Sequence, residues 1–183
     1  MRARHGAMAL LLAGAMVLAG CAGSPGGTHI EPPVTTATKT QGEPTKAELT
    51  WQEAKAKAQA MELEIAALIP KGTVVSIDQK KKGVLLSCNK TQHKWKGSTT
   101  ITVADGTKIN SIVKDIEAHY QSGLFGVRNR LDIGGSYEVQ MIARSGSGEN
   151  YIVAEGLAPN QIDIDSGSPC FTLPEGIYPG GDF

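Results

Sequence analysis

Three sets of side chains in this chain have the types and spacing that could do chemistry. Asp115 and His119 stand four apart in a stretch where Ile109, Ile112, Val113, Ile116 and Tyr120 recur with helical period, so both share a helix face. A metal ion needs at least one more ligand, and no third candidate is evident, so an ordinary surface ion pair is the plainer reading. Asp163 and Asp165 flank Ile164 and point to one side of a strand. They could bind a cation, or they could be solvated acids on an edge strand, where charge discourages edge pairing. The run His93-Lys94-Trp95-Lys96 offers a basic and aromatic contact patch, because Trp is favoured at interfaces; equally, Trp95 could cap the edge of a core.

The recognised catalytic patterns do not assemble. Gly146-Ser-Gly148 and Gly167-Ser168 do not make a Gly-x-Ser-x-Gly nucleophile elbow. Ser-x-x-Lys does not occur together with the other transpeptidase motifs, and there is no His-Glu-x-x-His zinc helix or Gly-rich phosphate loop. The expectation is a domain without catalytic residues, cofactor or metal.

Cysteine chemistry is more specific. Arg2 and Arg4 precede an apolar run from Ala7 to Val17, which is signal-peptide length and too short for a bilayer span of about 20 residues. The run closes on Leu18-Ala19-Gly20-Cys21, which resembles a bacterial lipobox. In that motif a peptidase cuts beside the small residues, and the nucleophilic sulfur of Cys21 carries a diacylglycerol. An ordinary secreted protein cut near Ala22 is the alternative. Two acyl chains hold a protein at a membrane, since each buried CH₂ contributes about 0.8 kcal/mol. The remaining cysteines, Cys88 and Cys170, form an even pair in an exported chain and are expected as a disulfide. Its rival, a metal site, lacks nearby histidines.

Removing residues 1–20 from the 183-residue chain leaves 16 basic and 18 acidic residues, a net charge of −2 with no nucleic-acid footprint. Lys71 to Lys96 holds seven lysines and one acid, whereas beyond Arg144 there are six acids and no lysine or arginine. These segments are two solvated faces or lie side by side; lysines facing anionic lipid are a third reading. Residues 21–44 are rich in Gly, Pro and Thr and read as a flexible tether with a reach of roughly 25–30 Å.

The elements that must position these residues follow from periodicity. Thr45 to Glu48 and Thr50 to Glu53 have capping-box spacing, and Trp51, Ala54, Ala58, Met61, Ile65 and Leu68 draw an apolar helix stripe with Glu62 off it. Strands are expected over Val74–Ile77, Gly83–Cys88 and Thr99–Val103, with Asn89–Gly97 as a basic loop. After the second helix come a weak strand over Phe125–Ile133, clear strands over Tyr137–Ala143 and Tyr151–Glu155, and a short one over Ile162–Asp165. This order predicts a two-layer α+β domain over 45–173, an antiparallel sheet of about five to seven strands covered on one face by two helices, then an extended tail over 174–183.

Ile69-Pro70, Leu86-Ser-Cys88, Ile109-Asn-Ser-Ile-Val113 with Tyr120, Gly135-Ser-Tyr-Glu-Val139, Ile162-Asp-Ile164 and Ser168-Pro-Cys-Phe171 together resemble actinobacterial LppA-like lipoproteins over about 51–173. The resemblance implies envelope attachment, an α+β domain and a disulfide, and no catalytic residues. The expected protein is a lipid-anchored module on the outer face of the cell membrane that binds an envelope partner. The alternative is a carrier of a small apolar ligand held between helices and sheet, lined by Tyr137, Met141 and Tyr151. An enzyme using Asp115 and His119 is the weakest reading.

Overall fold

The computed structural model describes residues 48–183. The expected signal segment 1–20, Cys21, the tether 21–44 and Thr45 lie outside the described residues. Helix α1 spans Trp51–Ala66 and α2 spans Ile109–Tyr120. Among the described residues there are eight strands: β1 Val74–Gln79, β2 Val84–Ser87, β3 Gln92–Val103, β4 Phe125–Leu131, β5 Tyr137–Ala143, β6 Asn150–Glu155, β7 Gln161–Gly167 and β8 Phe171–Thr172. They form one antiparallel sheet in the order β1-β3-β7-β6-β5-β4, with β2 and β8 also paired to β3. Both helices pack on the same sheet face, so the fold is a two-layer α+β domain. No helix among the described residues is long and apolar enough to cross a membrane.

The start of α1 follows from its residues. Glu53 N–H donates to Thr50 Oγ1 at 3.2 Å and Thr50 N–H donates to the Glu53 carboxylate at 2.9 Å, a reciprocal capping box. Such a cap contributes about 1 kcal/mol. The buried set of α1 is Ala54, Ala58, Glu62, Ile65 and Ala66. Glu62 therefore lies on the stripe, four residues after Ala58 and three before Ile65, contrary to its expected place in solvent.

The expected basic loop over Asn89–Gly97 is a correction. Only Asn89 to Thr91 turns: Asn89 Oδ1 accepts from Thr91 N–H at 3.0 Å and Gln92 N–H at 2.9 Å. From Gln92 the chain is already strand, and β3 runs twelve residues. Trp95, Gly97, Thr99, Ile101 and Val103 alternate inward along it, each buried. β1 and β2 line one edge of β3, while β7 and β8 line the other. The lysine-rich and acid-rich segments do lie side by side: Lys96 faces Gly167 across β3 and β7, and Lys82 pairs with Asp182 at 3.1 Å.

Two apolar clusters fill the layer. The larger joins the C-terminal half of α1 and all of α2 to β3, β5, β6 and β7. The smaller gathers Ala54, Ala58, Trp95 and Phe171, with Trp51, Leu85, Leu173 and Phe183 packed around them. Cys88 and Cys170 form a disulfide beside it, joining the end of β2 to the start of β8. The expected tail is not loose at its end. Phe183 exchanges both backbone hydrogen bonds with Gly83, at 2.9 and 3.0 Å, and its ring meets Trp51 edge to face at 5.3 Å.

Candidate functional site

The expected contact patch splits across two faces because β3 is a strand with side-chain period two. Trp95 has 0 % exposure and fills the smaller cluster, which resolves its two readings in favour of the core. A Cβ at Gly97 would lie 1.9 Å from the indole and one at Gly83 2.6 Å from it, so both glycines are shaped to that ring. Trp95 Nε1–H donates to Phe183 O at 3.2 Å, and its main chain exchanges bonds with Ser168. His93 shares the inward face, opposite Phe171, with Nδ1 buried and unpartnered among the described residues. Lys94 and Lys96 point to the other face. Lys94 is half-buried there, donating to Gly148 O and to Asn150 Oδ1 at 3.0 Å; burial draws its ammonium pKa down.

The two acidic candidates also change. Asp115 and His119 are both exposed, and they are not among the ion pairs of the described residues. The expected surface pair is not formed; His119 instead stands edge to face against Tyr120, 4.8 Å between ring centres. Asp163 and Asp165 are half-buried on β7, which lies between β3 and β6 and is not an edge strand. Asp163 accepts from Thr100 Oγ1–H at 2.7 Å, so a neighbouring strand supplies its partner. No group of three or more His, Cys, Asp and Glu side chains converges among the described residues.

Glu62 was missed. Its carboxylate is fully buried between α1 and the sheet. It accepts from Thr99 Oγ1–H at 2.7 Å, from Gln79 Nε2–H at 2.8 Å and from the Ser166 hydroxyl. Three strands thus meet one helix through a single carboxylate. Every one of these donors is neutral, so the arrangement holds the layers in register and offers no counter-charge. The spacing from Ala58 and to Ile65 was the available signal.

A cleft of about 750 Å³ opens where α1 and α2 meet the start of β4 and the end of β5. Tyr120 and Phe125 form its floor, buried but for 8 % and 7 % of their surface, with ring centres 5.9 Å apart. Phe125 in turn stands 5.8 Å from the ring of Tyr151, again edge to face. Met61 and Ala143 add apolar walls, and Leu124 projects at the rim with 82 % exposure. Glu64 and Glu149 are its acids. Glu149 accepts from the Tyr151 hydroxyl at 2.8 Å, and Glu64 from that of Tyr120 at 3.4 Å. Burial, and then the Glu64 charge, push the Tyr120 hydroxyl up to about 12, so it remains a donor at neutral pH. Arg144 stands at the mouth with Nε–H donating to Phe125 O at 2.9 Å.

This volume is not where the sequence placed it. Met141 and Tyr151 are fully buried in the larger cluster. Tyr137 is half-buried and donates its hydroxyl to Glu117. The open space lies at the ends of the helices, between residues far apart in the chain. Comparison with protein-family models, curated proteins and solved structures returns no match.

Proposed function

We propose that this chain is a lipid-anchored protein of the outer face of a bacterial cell membrane, whose domain is a non-catalytic binding module. The observation that carries this reading is Leu18-Ala19-Gly20-Cys21, preceded by the short apolar run and followed by a Gly/Pro/Thr-rich spacer. The Cys88–Cys170 disulfide supports it, because such bonds persist in oxidising compartments. The resemblance to LppA-like lipoproteins belongs to the same proposal. Intact-mass analysis of the full chain recovered from bacterial membranes tests it. Cleavage before Cys21 with a diacylglyceryl mass on that residue, abolished by Cys21→Ser, is the expected outcome; an unacylated amino terminus overturns it.

A second reading, carriage of a small apolar ligand, is favoured by the cleft over Tyr120 and Phe125. At about 750 Å³ it has the size of sites that enclose small molecules. Native mass spectrometry of protein purified without detergent would reveal a co-purifying molecule, lost when Leu124 and Met61 are replaced by polar residues. Recovery of the empty chain alone, from every preparation, counts against it.

A further inference from the structure

We propose that the cleft at the helix ends binds an amphipathic organic cation, with its apolar chain on the Tyr120–Phe125 floor and its ammonium at Glu64 and Glu149. The inference rests on the carrier reading and adds the charge of the ligand.

The floor and the rim fix the apolar half. Two nearly buried rings set edge to face leave only a small apolar surface on the cleft, and Leu124 at its rim is almost wholly in solvent. A large aliphatic side chain so exposed beside an apolar hollow is left without the burial that its neighbours have. An alkyl chain of the ligand would cover Leu124, Met61 and Phe125 at once.

The acids fix the polar half. Glu64 and Glu149 both line the cleft, and neither belongs to the ion pairs among the described residues. Their donors are tyrosine hydroxyls, which bring no positive charge to either carboxyl group. Burial first, then Glu149 and, less strongly, Glu62 and Glu64, hold the Tyr151 hydroxyl far above its ordinary pKa. Two carboxyl groups at the wall of an apolar cleft suit a cation by charge complementarity. Arg144 brings one positive charge to the mouth, and its Nε–H is tied to the Phe125 carbonyl. Of the other lining side chains only His119 is basic, and the two acids outnumber the fixed charge of Arg144, which is why an amine is assigned and not a fatty acid.

The experiment is calorimetric titration of the full chain carrying Cys21→Ser, so that no acyl group of its own competes. The probes are decylammonium, decan-1-ol and decanoate, each below its aggregation concentration. Decylammonium is expected to bind at least tenfold tighter than decanol, with decanoate weakest. Glu64→Gln with Glu149→Gln should bring decylammonium to the affinity of decanol, and Leu124→Ser should weaken both alike. Thermal unfolding of each variant checks that the fold is kept; all three positions are exposed or half-exposed. Decanoate binding tighter than decylammonium, or a double variant with unchanged preference, overturns the cation assignment and leaves the carrier reading standing if decanol still binds. Failure of all three probes to bind overturns both.

Discussion

The larger apolar cluster gathers seventeen buried residues, mostly Ile and Val, whereas the smaller has four: Ala54, Ala58, Trp95 and Phe171. The first coheres through area alone, at roughly 25 cal/mol per Å² buried. The second is too small for that and is fastened by other means. A disulfide closes its side, Phe183 hydrogen-bonds to Gly83, and Lys55 Nζ donates to the carbonyls of Lys81 and Phe183. Between them stands the buried Glu62, whose carboxyl group ties α1 to β1, β3 and β7. The difference teaches that one helix can rest at its C-terminal end on packing and at its N-terminal end on fasteners. It also locates the cleft, which opens at the end of the large cluster.

The contrast breaks most severely at Trp95. Trp95→Ala removes the centre of the smaller cluster, and Gly83 and Gly97 have no side chains to refill the space. A loss of about 3–5 kcal/mol is expected in denaturant unfolding. Replacing both Cys88 and Cys170 by Ser is expected to cost about 2–5 kcal/mol. Hydrogen exchange sharpens that result: β2, β8 and the first turns of α1 should lose protection while β4 to β7 keep theirs. Equal loss everywhere would mean the two clusters are one cooperative unit. Glu62→Gln keeps the shape but turns a carboxylate that accepts three bonds into an amide with donors facing hydroxyls. A loss of about 1–3 kcal/mol is expected in the same measurement.

The smallest effect is acid sensitivity on the α2 side. The Tyr137 hydroxyl, opposed by slight burial, holds the Glu117 carboxyl below its ordinary pKa, with Asn129 and Gln121 helping. Burial works against the Glu138 charge, but the bonds from Arg130 and Gln140 outweigh it and hold that pKa low as well. Both folded pKa values lie below the unfolded ones, so their stabilisation is full above the unfolded pKa of about 4.3 and is lost as pH falls through the folded values. Tyr137→Phe should flatten the acid limb of the melting temperature against pH, and Trp95→Ala should leave its shape unchanged.

The layers, the helix faces and the strands β5 to β7 were legible because apolar residues there recur with clean periods, whereas β4, Phe125-Gly-Val-Arg-Asn-Arg-Leu131, read only as a weak strand. The β2–β3 hairpin was obscured because Lys94 and Lys96 interleave with His93 and Trp95, and a run so basic looks like a loop until its alternation is counted. β8 has two residues and exists only through its pairing with β3. Glu62 was hidden by its charge, although its spacing put it on the buried stripe. The cleft could not be read at all, because Met61, Tyr120, Leu124, Ala143 and Glu149 come together only in the folded chain.

β3 draws its partners from both ends of the domain: β1 and β2 arrive before it, while β7 and β8 follow by some sixty residues or more. A chain emerging amino-terminus first, from ribosome or translocation pore, therefore exposes one bare edge of β3 until β7 and β8 are out. Cys88 waits 82 positions for its mate during that interval. The acylation proposed for Cys21, which precedes it, would also safeguard oxidative maturation by removing a wrong partner.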